Sequence, residues 1–309
     1  EPKGMLVISL FGPTGVGKTA VAVALARLLR ARGEDPVAVS ADALQVYAGL
    51  ETLTGVASAA EQAQLEHRLV SLVPLDASFS AGQYAELAHA EVDDLLAASR
   101  RPIVVGGTGL YLRAALAELD LRPPPPEGVR ERWLAELERR GPQPLHAVLA
   151  ERAPWAAAEI DRNDRQRIVR ALELFDLGEL EPPEGPSQLW SRDLRHPTLL
   201  AGLTVERAAL YRAIDERVDL MIRQGAREEV IRADAAGASR TARRALGFQE
   251  LLGGDVERMK QRTRNYAKRQ LTWMRKLPDV HLVDVTDRTP QDVAGEVLQL
   301  ADAAEAAAR

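Results

Sequence analysis

The stretch Met5–Thr19, MLVISLFGPTGVGKT, decides the fold. Met5–Phe11 is an apolar run of the kind found in a strand buried on both faces. Gly12–Thr19 then fits G-x-x-x-x-G-K-[ST], a loop whose backbone N–H groups and helix N-terminus point at phosphates. Lys18–Arg32 continues as a helix with Val21, Leu25 and Leu28 on one face, and Gly33 ends it. Such a loop recognises a polyphosphate and not a base, so it fixes part of a ligand and leaves the reaction open.

The same alternation continues outward. Val37–Ser40 and His67–Val73 read as strands, Ala81–Ser99 as a helix, Pro102–Val105 as a buried strand, and Leu110–Leu119 as a helix. Short connections between strands and helices predict a parallel sheet covered on both faces. The pattern changes at Pro123–Pro126, four consecutive prolines. Beyond them Glu127–Arg140 (Val129, Trp133, Leu137) and Arg165–Leu177 (Ile168, Leu172, Phe175) have helical spacing. Prolines return at 182, 183 and 186, and Leu199–Leu203 reads as a return to the sheet. From Leu203 onward the pattern is helical, and Ala301–Arg309 reads as a fraying helix end. The predicted organisation is an α/β core from residues 1–119 and 197–309, with an all-helical insertion at 120–196.

Composition narrows the function. The 309 residues contain no cysteine, which excludes disulfides, thiolate metal sites and cysteine nucleophiles. Five scattered histidines lack zinc-ligand spacing. No apolar run reaches the roughly 18 residues of a membrane span, and the start, Glu1–Met5, lacks the pattern of a secretion signal, residues 1–4 reading as a non-native addition before a native Met5. A cytoplasmic location, a monomer and no membrane partner are expected. Net charge is −5, but Arg240–Lys276 holds eleven basic and three acidic residues. That asymmetry points to a polyanionic partner better than the total does.

Three features carry chemistry. No apolar strand followed by Asp-Glu supplies the usual second acidic site of a P-loop ATPase. The nearest acid after a strand is Asp42, which would face the phosphate loop across the crevice at the strand C-termini, or else cap a helix. Gly106-Gly107-Thr108-Gly109 also follows a strand; it is either a turn that lets a ligand approach the backbone or a plain tight turn. Arg258–Lys276 is a helix in which all eight charged residues are basic, where a solvated helix mixes signs for i,i+4 pairing. Phosphate contact along it would supply affinity and salt dependence. A second set, Arg162, Arg165, Arg167 and Arg170, is interleaved with acids and fits a salt-bridged face as well as a binding one.

Six stretches together resemble the tRNA dimethylallyltransferase (tRNA isopentenyltransferase) family: Gly12–Thr19 (GPTGVGKT), Asp42–Tyr47 (DALQVY), Val105–Leu112 (VGGTGLYL), Asn163–Glu173 (NDRQRIVRALE), Ala245–Glu250 (ALGFQE) and Thr263–Trp273 (TRNYAKRQLTW). They run in the family's order over nearly the whole chain. The resemblance implies a P-loop NTPase-like α/β core with a helical insertion that grips the anticodon stem-loop of tRNA. It implies Mg²⁺-dependent transfer of a dimethylallyl group from dimethylallyl diphosphate to N6 of the adenosine 3′ of the anticodon. It implies Asp42 as general base, and Gly12, Pro13, Thr14, Gly15, Val16, Gly17, Lys18 and Thr19 around the diphosphate, with Mg²⁺ on Thr19. Arg264 is a candidate to close over the pyrophosphate, and Thr108 to bind the target nucleotide. The tRNA-contacting positions implied are Asp42, Ala43, Leu44 and Gln45; Thr108; Gln166, Arg167, Ile168, Val169 and Arg170; Arg244, Ala245, Leu246, Gly247, Phe248 and Gln249; and Lys268, Arg269, Gln270, Leu271, Thr272, Trp273, Met274 and Arg275.

The chain departs from the family pattern at Ala43, usually Ser, and at Leu53–Ser58 and Glu66–Leu69. Two other functions stand beside this one: a P-loop enzyme acting on a small molecule or free adenine nucleotide, and a non-catalytic RNA-binding protein. The basic helix argues against the first and Asp42 against the second.

Overall fold

The computed structural model describes residues 5–122, 124–182 and 188–307. Residues 1–4, Pro123, residues 183–187 (with Pro183 and Pro186) and residues 308–309 lie outside it. Six parallel strands form one sheet: β1 (Val7–Phe11), β2 (Pro36–Ala41), β3 (His67–Arg68), β4 (Arg101–Gly106), β5 (Thr198–Thr204) and β6 (Val280–Asp284), in the order β3-β2-β4-β1-β5-β6. Every residue of β1 and β2 is buried, as their apolar runs require. The fold class is α/β, with helices on both faces of the sheet. On one face Lys18–Ala31 packs against Pro290–Ala307 through Leu25, Leu29, Val293 and Val297.

The register positions the site. Phe11 and Ala41 both pair with Gly106, so β1, β4 and β2 end in one row. Gly12, Gly107 and Asp42 therefore leave adjacent strand ends side by side. The chain crosses from the β2–β4 side of β1 to the β5 side at this row, which is where ligands bind in open α/β sheets.

Three expectations need correcting. The strand expected over His67–Val73 is only His67–Arg68, because Leu69 (φ 60°) and Ser71 (φ 51°) adopt left-handed backbone that breaks the pleat. The helix expected to reach Leu119 ends at Leu116. The region after Leu203 is not all helical: Val280–Asp284 is an edge strand in which only Val283 is buried, so it lacks the apolar run that marks the central strands.

By internal contacts the described chain forms two compact units, Glu1–Asp120 with Leu189–Arg309, and Leu121–Gln188. The second is a set of helices, Val129–Arg140, Pro142–Arg152, Pro154–Glu159 and Arg165–Asp176, around Trp133, Leu137, Leu145, Leu149, Ile168 and Leu172. Residues 189–196 belong with the first unit: the Arg195 N–H donates to the Leu116 carbonyl and its guanidinium pairs with Asp93 at 2.8 Å.

Candidate active site

The phosphate loop has the backbone its sequence demands. Gly15 (φ 84°) and Gly17 (φ 91°) are left-handed, and Gly17 precedes helix Lys18–Ala31 without a side-chain cap, so the first amides of that helix stay open to an anion. Lys18 Nζ donates to the carbonyls of Gly12 (2.9 Å) and Pro13 (3.0 Å). Burial, then the nearby Arg217 guanidinium, pulls its pKa down to about 8, and Asp42 opposes the drop.

Arg217 is the residue the sequence reading missed. It lies on helix Arg207–Arg223, with its guanidinium against the Gly55 backbone, where even a Cβ on Gly55 would come within 1.7 Å of Nη2. Burial lowers its proton affinity, opposed by Asp42 and Glu61. Among the described residues it forms neither ion pair nor hydrogen bond. The available signal was its spacing. Arg217 falls on the stripe of Leu210, Ile214, Val218 and Met221, a lone charge on an apolar face.

Asp42 follows β2. Its Oδ1 accepts from the N–H groups of Leu44 (2.9 Å) and Gln45 (3.3 Å), so it closes the turn after β2 and does not cap a helix as the alternative expected: the next helix begins only at Glu51, and the second carboxylate oxygen is left without a hydrogen bond among the described residues. The Gln45 side chain is spent locally, accepting from Ser40 Oγ (2.8 Å) and donating to the carbonyls of Thr54 (3.3 Å) and Gly55 (3.1 Å). The Glu229 carboxylate holds the same segment through the Thr52 and Leu53 N–H groups (3.0 and 2.8 Å). The divergent stretch Leu53–Ser58 thus has its own anchoring. Several phenols feel the charge of the carboxylate. Burial and Asp42 push Tyr266 up to about 12, while Tyr111, also pushed to about 12, feels burial, Tyr47 and Asp42. The Tyr84 hydroxyl donates to the Ser40 carbonyl at 2.9 Å, and the Tyr84 and Tyr111 rings lie 4.7 Å apart.

The basic helix is Val256–Met274, and it closes over both loops. Buried Gln270 accepts from the Thr14 N–H (2.9 Å) and donates to the Gly107 carbonyl (2.8 Å), tying the phosphate loop to the Gly106–Gly109 turn. The glycines of that turn make room for the helix itself. A Cβ on Gly107 would lie 2.3 Å from Gln270 Nε2, and one on Gly109 2.0 Å from the Trp273 ring. Gly109→Ala is therefore expected to displace Trp273 and cost about 1–3 kcal/mol, as other overpacked sites do. Thermal unfolding and tryptophan emission measure this, and an unchanged Tm would contradict the packing.

Several expected contact residues face inward. Ile168, Val169, Phe248, Gln270 and Met274 are buried because their helices are amphipathic, and Ala245 and Gly247 are buried in the turn before Phe248–Leu252. Their side chains build the framework, and exposed neighbours such as Gln166, Arg167, Arg244, Gln249, Lys268, Arg269, Thr272 and Arg275 carry any surface. Arg264, the candidate to close over the pyrophosphate, pairs with both oxygens of Asp215 (2.7 and 2.8 Å). Lys260 pairs with Asp219 at 2.7 Å and Arg262 with Glu250, so acids from other elements neutralise three of the four cations in the first half of the helix, all but Arg258. In the second half Lys268, Arg269, Arg275 and Lys276 have no carboxylate partner among the described residues. Lys268 lies over the Tyr211 ring, Arg269 over Tyr266 and Lys276 over Trp190. In the helical unit Arg165 pairs with Glu138 and Arg170 with buried Glu173.

Among the described residues no helix is long and apolar enough to cross a membrane, and no cluster of three His, Asp or Glu could hold a metal. The Thr19 hydroxyl, half-exposed in the first turn after the phosphate loop, suits a Mg²⁺ ion that takes its remaining ligands from phosphates and water.

Residues 45–277 match the model of the IPP transferase family. The chain is 38% identical to a tRNA dimethylallyltransferase of Kineococcus radiotolerans, over 97% of this chain and 98% of that one. It is also 38% identical to a tRNA dimethylallyltransferase of Thermobifida fusca, over 91% and 92% respectively. Among solved structures, the tRNA isopentenylpyrophosphate transferase of Bacillus halodurans superimposes with a TM-score of 0.69 at 30% identity, covering 97% of this chain and 96% of that one.

Proposed function

This chain belongs to the IPP transferase family and is a prenyltransferase of the tRNA dimethylallyltransferase type; from that premise we propose how its residues do the chemistry. The acceptor is N6 of the adenosine 3′-adjacent to the anticodon in tRNA, and the donor is dimethylallyl diphosphate. The supporting observation is the Gln270 bridge, because it joins the phosphate loop, the Asp42 side of the sheet and the unpaired cations of the basic helix into one place.

The diphosphate takes the open amides after Gly17, the Lys18 ammonium and the unpaired Arg217 guanidinium. Mg²⁺ held by the Thr19 hydroxyl and the phosphates would neutralise further charge. The allylic C–O bond breaks with both electrons leaving on the diphosphate. The N6 lone pair forms the new C–N bond, and the N6 proton passes to the Asp42 oxygen not held by the turn. The target base must leave its stack to reach a site at the strand ends. Lys268, Arg269, Arg275 and Lys276 meet tRNA phosphates, and the unit Leu121–Gln188 grips the anticodon stem-loop through its exposed face.

The test is transfer of labelled prenyl from dimethylallyl diphosphate, with Mg²⁺, to unmodified tRNA. Label in tRNA that is lost when the target adenosine is replaced by guanosine supports the reading. Label in AMP or ADP alone, or ATP hydrolysis without transfer, would refute it.

A further inference from the structure

The contact between Thr108 and Tyr266 bears on how the target base is read, and its role rests on the proposal above that an adenine N6 amine faces Asp42. Thr108 is the residue before helix Gly109–Leu116, a position where threonine ordinarily accepts a hydrogen bond from an amide of the first turn. It makes no such bond. Its Oγ1 lies instead 2.9 Å from the Tyr266 hydroxyl.

The direction of that bond is set by the surroundings. Gln270 is one turn beyond Tyr266. Its Oε1 is committed to the Thr14 N–H, so its donor end, Nε2, is the end at the Gly107 carbonyl. The Gln270 amide and Arg269 both favour negative charge on the Tyr266 oxygen, yet burial and Asp42 outweigh them and keep the phenol protonated. A phenol is a stronger donor and a weaker acceptor than an aliphatic alcohol. Tyr266 therefore donates, Thr108 accepts, and the Thr108 proton is left to be given to something else. Ala41 and Gly106 pair across β2 and β4, so that proton and the Asp42 carboxylate emerge from neighbouring strand ends.

We propose that Tyr266 is a positioning residue for base selection: it locks Thr108 as a donor beside the Asp42 acceptor, and the pair reads an amine flanked by a ring nitrogen. Adenine presents that pattern, with N6–H₂ as donor and N7 or N1 as acceptor. Guanine and uracil would set a carbonyl oxygen against the carboxylate. Chain position alone does not supply this polarity, since an unanchored threonine hydroxyl rotates to suit either partner.

The experiment uses the full-length enzyme, dimethylallyl diphosphate and tRNA whose target adenosine is replaced by 7-deazaadenosine or 1-deazaadenosine. On the analogue that lacks the nitrogen being read, wild type loses roughly tenfold or more in kcat/KM. Thr108→Val, which deletes the donor, loses a similar factor on adenosine and little more on that analogue; Tyr266→Phe leaves the hydroxyl able to donate but no longer held as a donor, so it loses a smaller, severalfold factor on adenosine and less than that on the analogue. Equal losses by Tyr266→Phe on all three bases, or none on any, overturn the assignment, since a structural role would depress them alike. Transfer by wild type to the unsubstituted tRNA checks the underlying reading. Its absence removes both proposals, while its presence with equal losses removes only the role of Tyr266.

Discussion

Replacing Asp42 with asparagine is expected to reduce turnover by roughly 10²–10⁴-fold while leaving both substrates bound. On the proposed mechanism the carboxylate has two tasks, and asparagine separates them. Oδ1 accepts the Leu44 and Gln45 N–H groups, and the asparagine oxygen can still do so. The other oxygen has only the N6 proton to take, and an amide NH₂ cannot take it. Asp42→Ala removes both tasks and adds a stability loss of about 1 kcal/mol from the missing turn hydrogen bonds, so it is the less informative variant. Single-turnover prenyl transfer, with tRNA binding measured separately, distinguishes them. Turnover of Asp42→Asn within a few-fold of wild type would remove Asp42 as the base.

The second large effect is expected at the pair of cations on the diphosphate. Lys18→Ala should cost roughly 10²–10³ in kcat, the scale of losing one preorganised group at a site of developing charge. Arg217→Gln should raise KM for dimethylallyl diphosphate about tenfold or more, the cost of one charge-assisted contact. The pH dependence tells the two apart. In the free protein Lys18 sits at about 8, so its ammonium, the form that binds the diphosphate, is present below that pH and is lost above it. Then kcat/KM falls as pH rises through about 8. Bound diphosphate stabilises the ammonium, so kcat holds to higher pH than kcat/KM. Arg217 is one of the influences depressing Lys18, so its removal moves the alkaline limb of kcat/KM upward even as affinity drops. An unchanged KM in Arg217→Gln, or a limb that moves down, would place Arg217 outside the diphosphate site.

The contrast between Lys18 and Arg217 explains what was legible. Lys18 belongs to a local motif, in which left-handed glycines at 15 and 17 and the start of a helix are enough to build a phosphate cradle. Arg217 comes to the same phosphate region from a helix about 200 residues later, and nothing in its neighbourhood of the chain announces it. Asp42 was legible as an acid at a strand end, but that one of its oxygens is held by the Leu44 and Gln45 N–H groups depends on how the following turn folds. The basic helix was legible as a run of like charge. That Lys260, Arg262 and Arg264 are neutralised by Asp219, Glu250 and Asp215, leaving Arg258 and the cations from Lys268 onward without a carboxylate among the described residues, depends on elements outside the helix. The glycines at 106–109 looked like a place for a ligand, yet two of them make room for Gln270 and Trp273.

The sequence by itself determined the parallel α/β core, the phosphate loop, the acid at the end of β2 and the family. Each of these is written in short-range pattern: apolar runs, glycine spacing, and motifs in a fixed order. Only the tertiary structure decided which cations stay unpaired, that Gln270 joins the two loops, that Arg217 comes near enough to Lys18 to depress its proton affinity, and that Thr108 turns to Tyr266 instead of capping its helix. Those outcomes are set by partners brought together through long-range packing, and neither charge pairing nor hydroxyl direction is encoded near the residue that shows it.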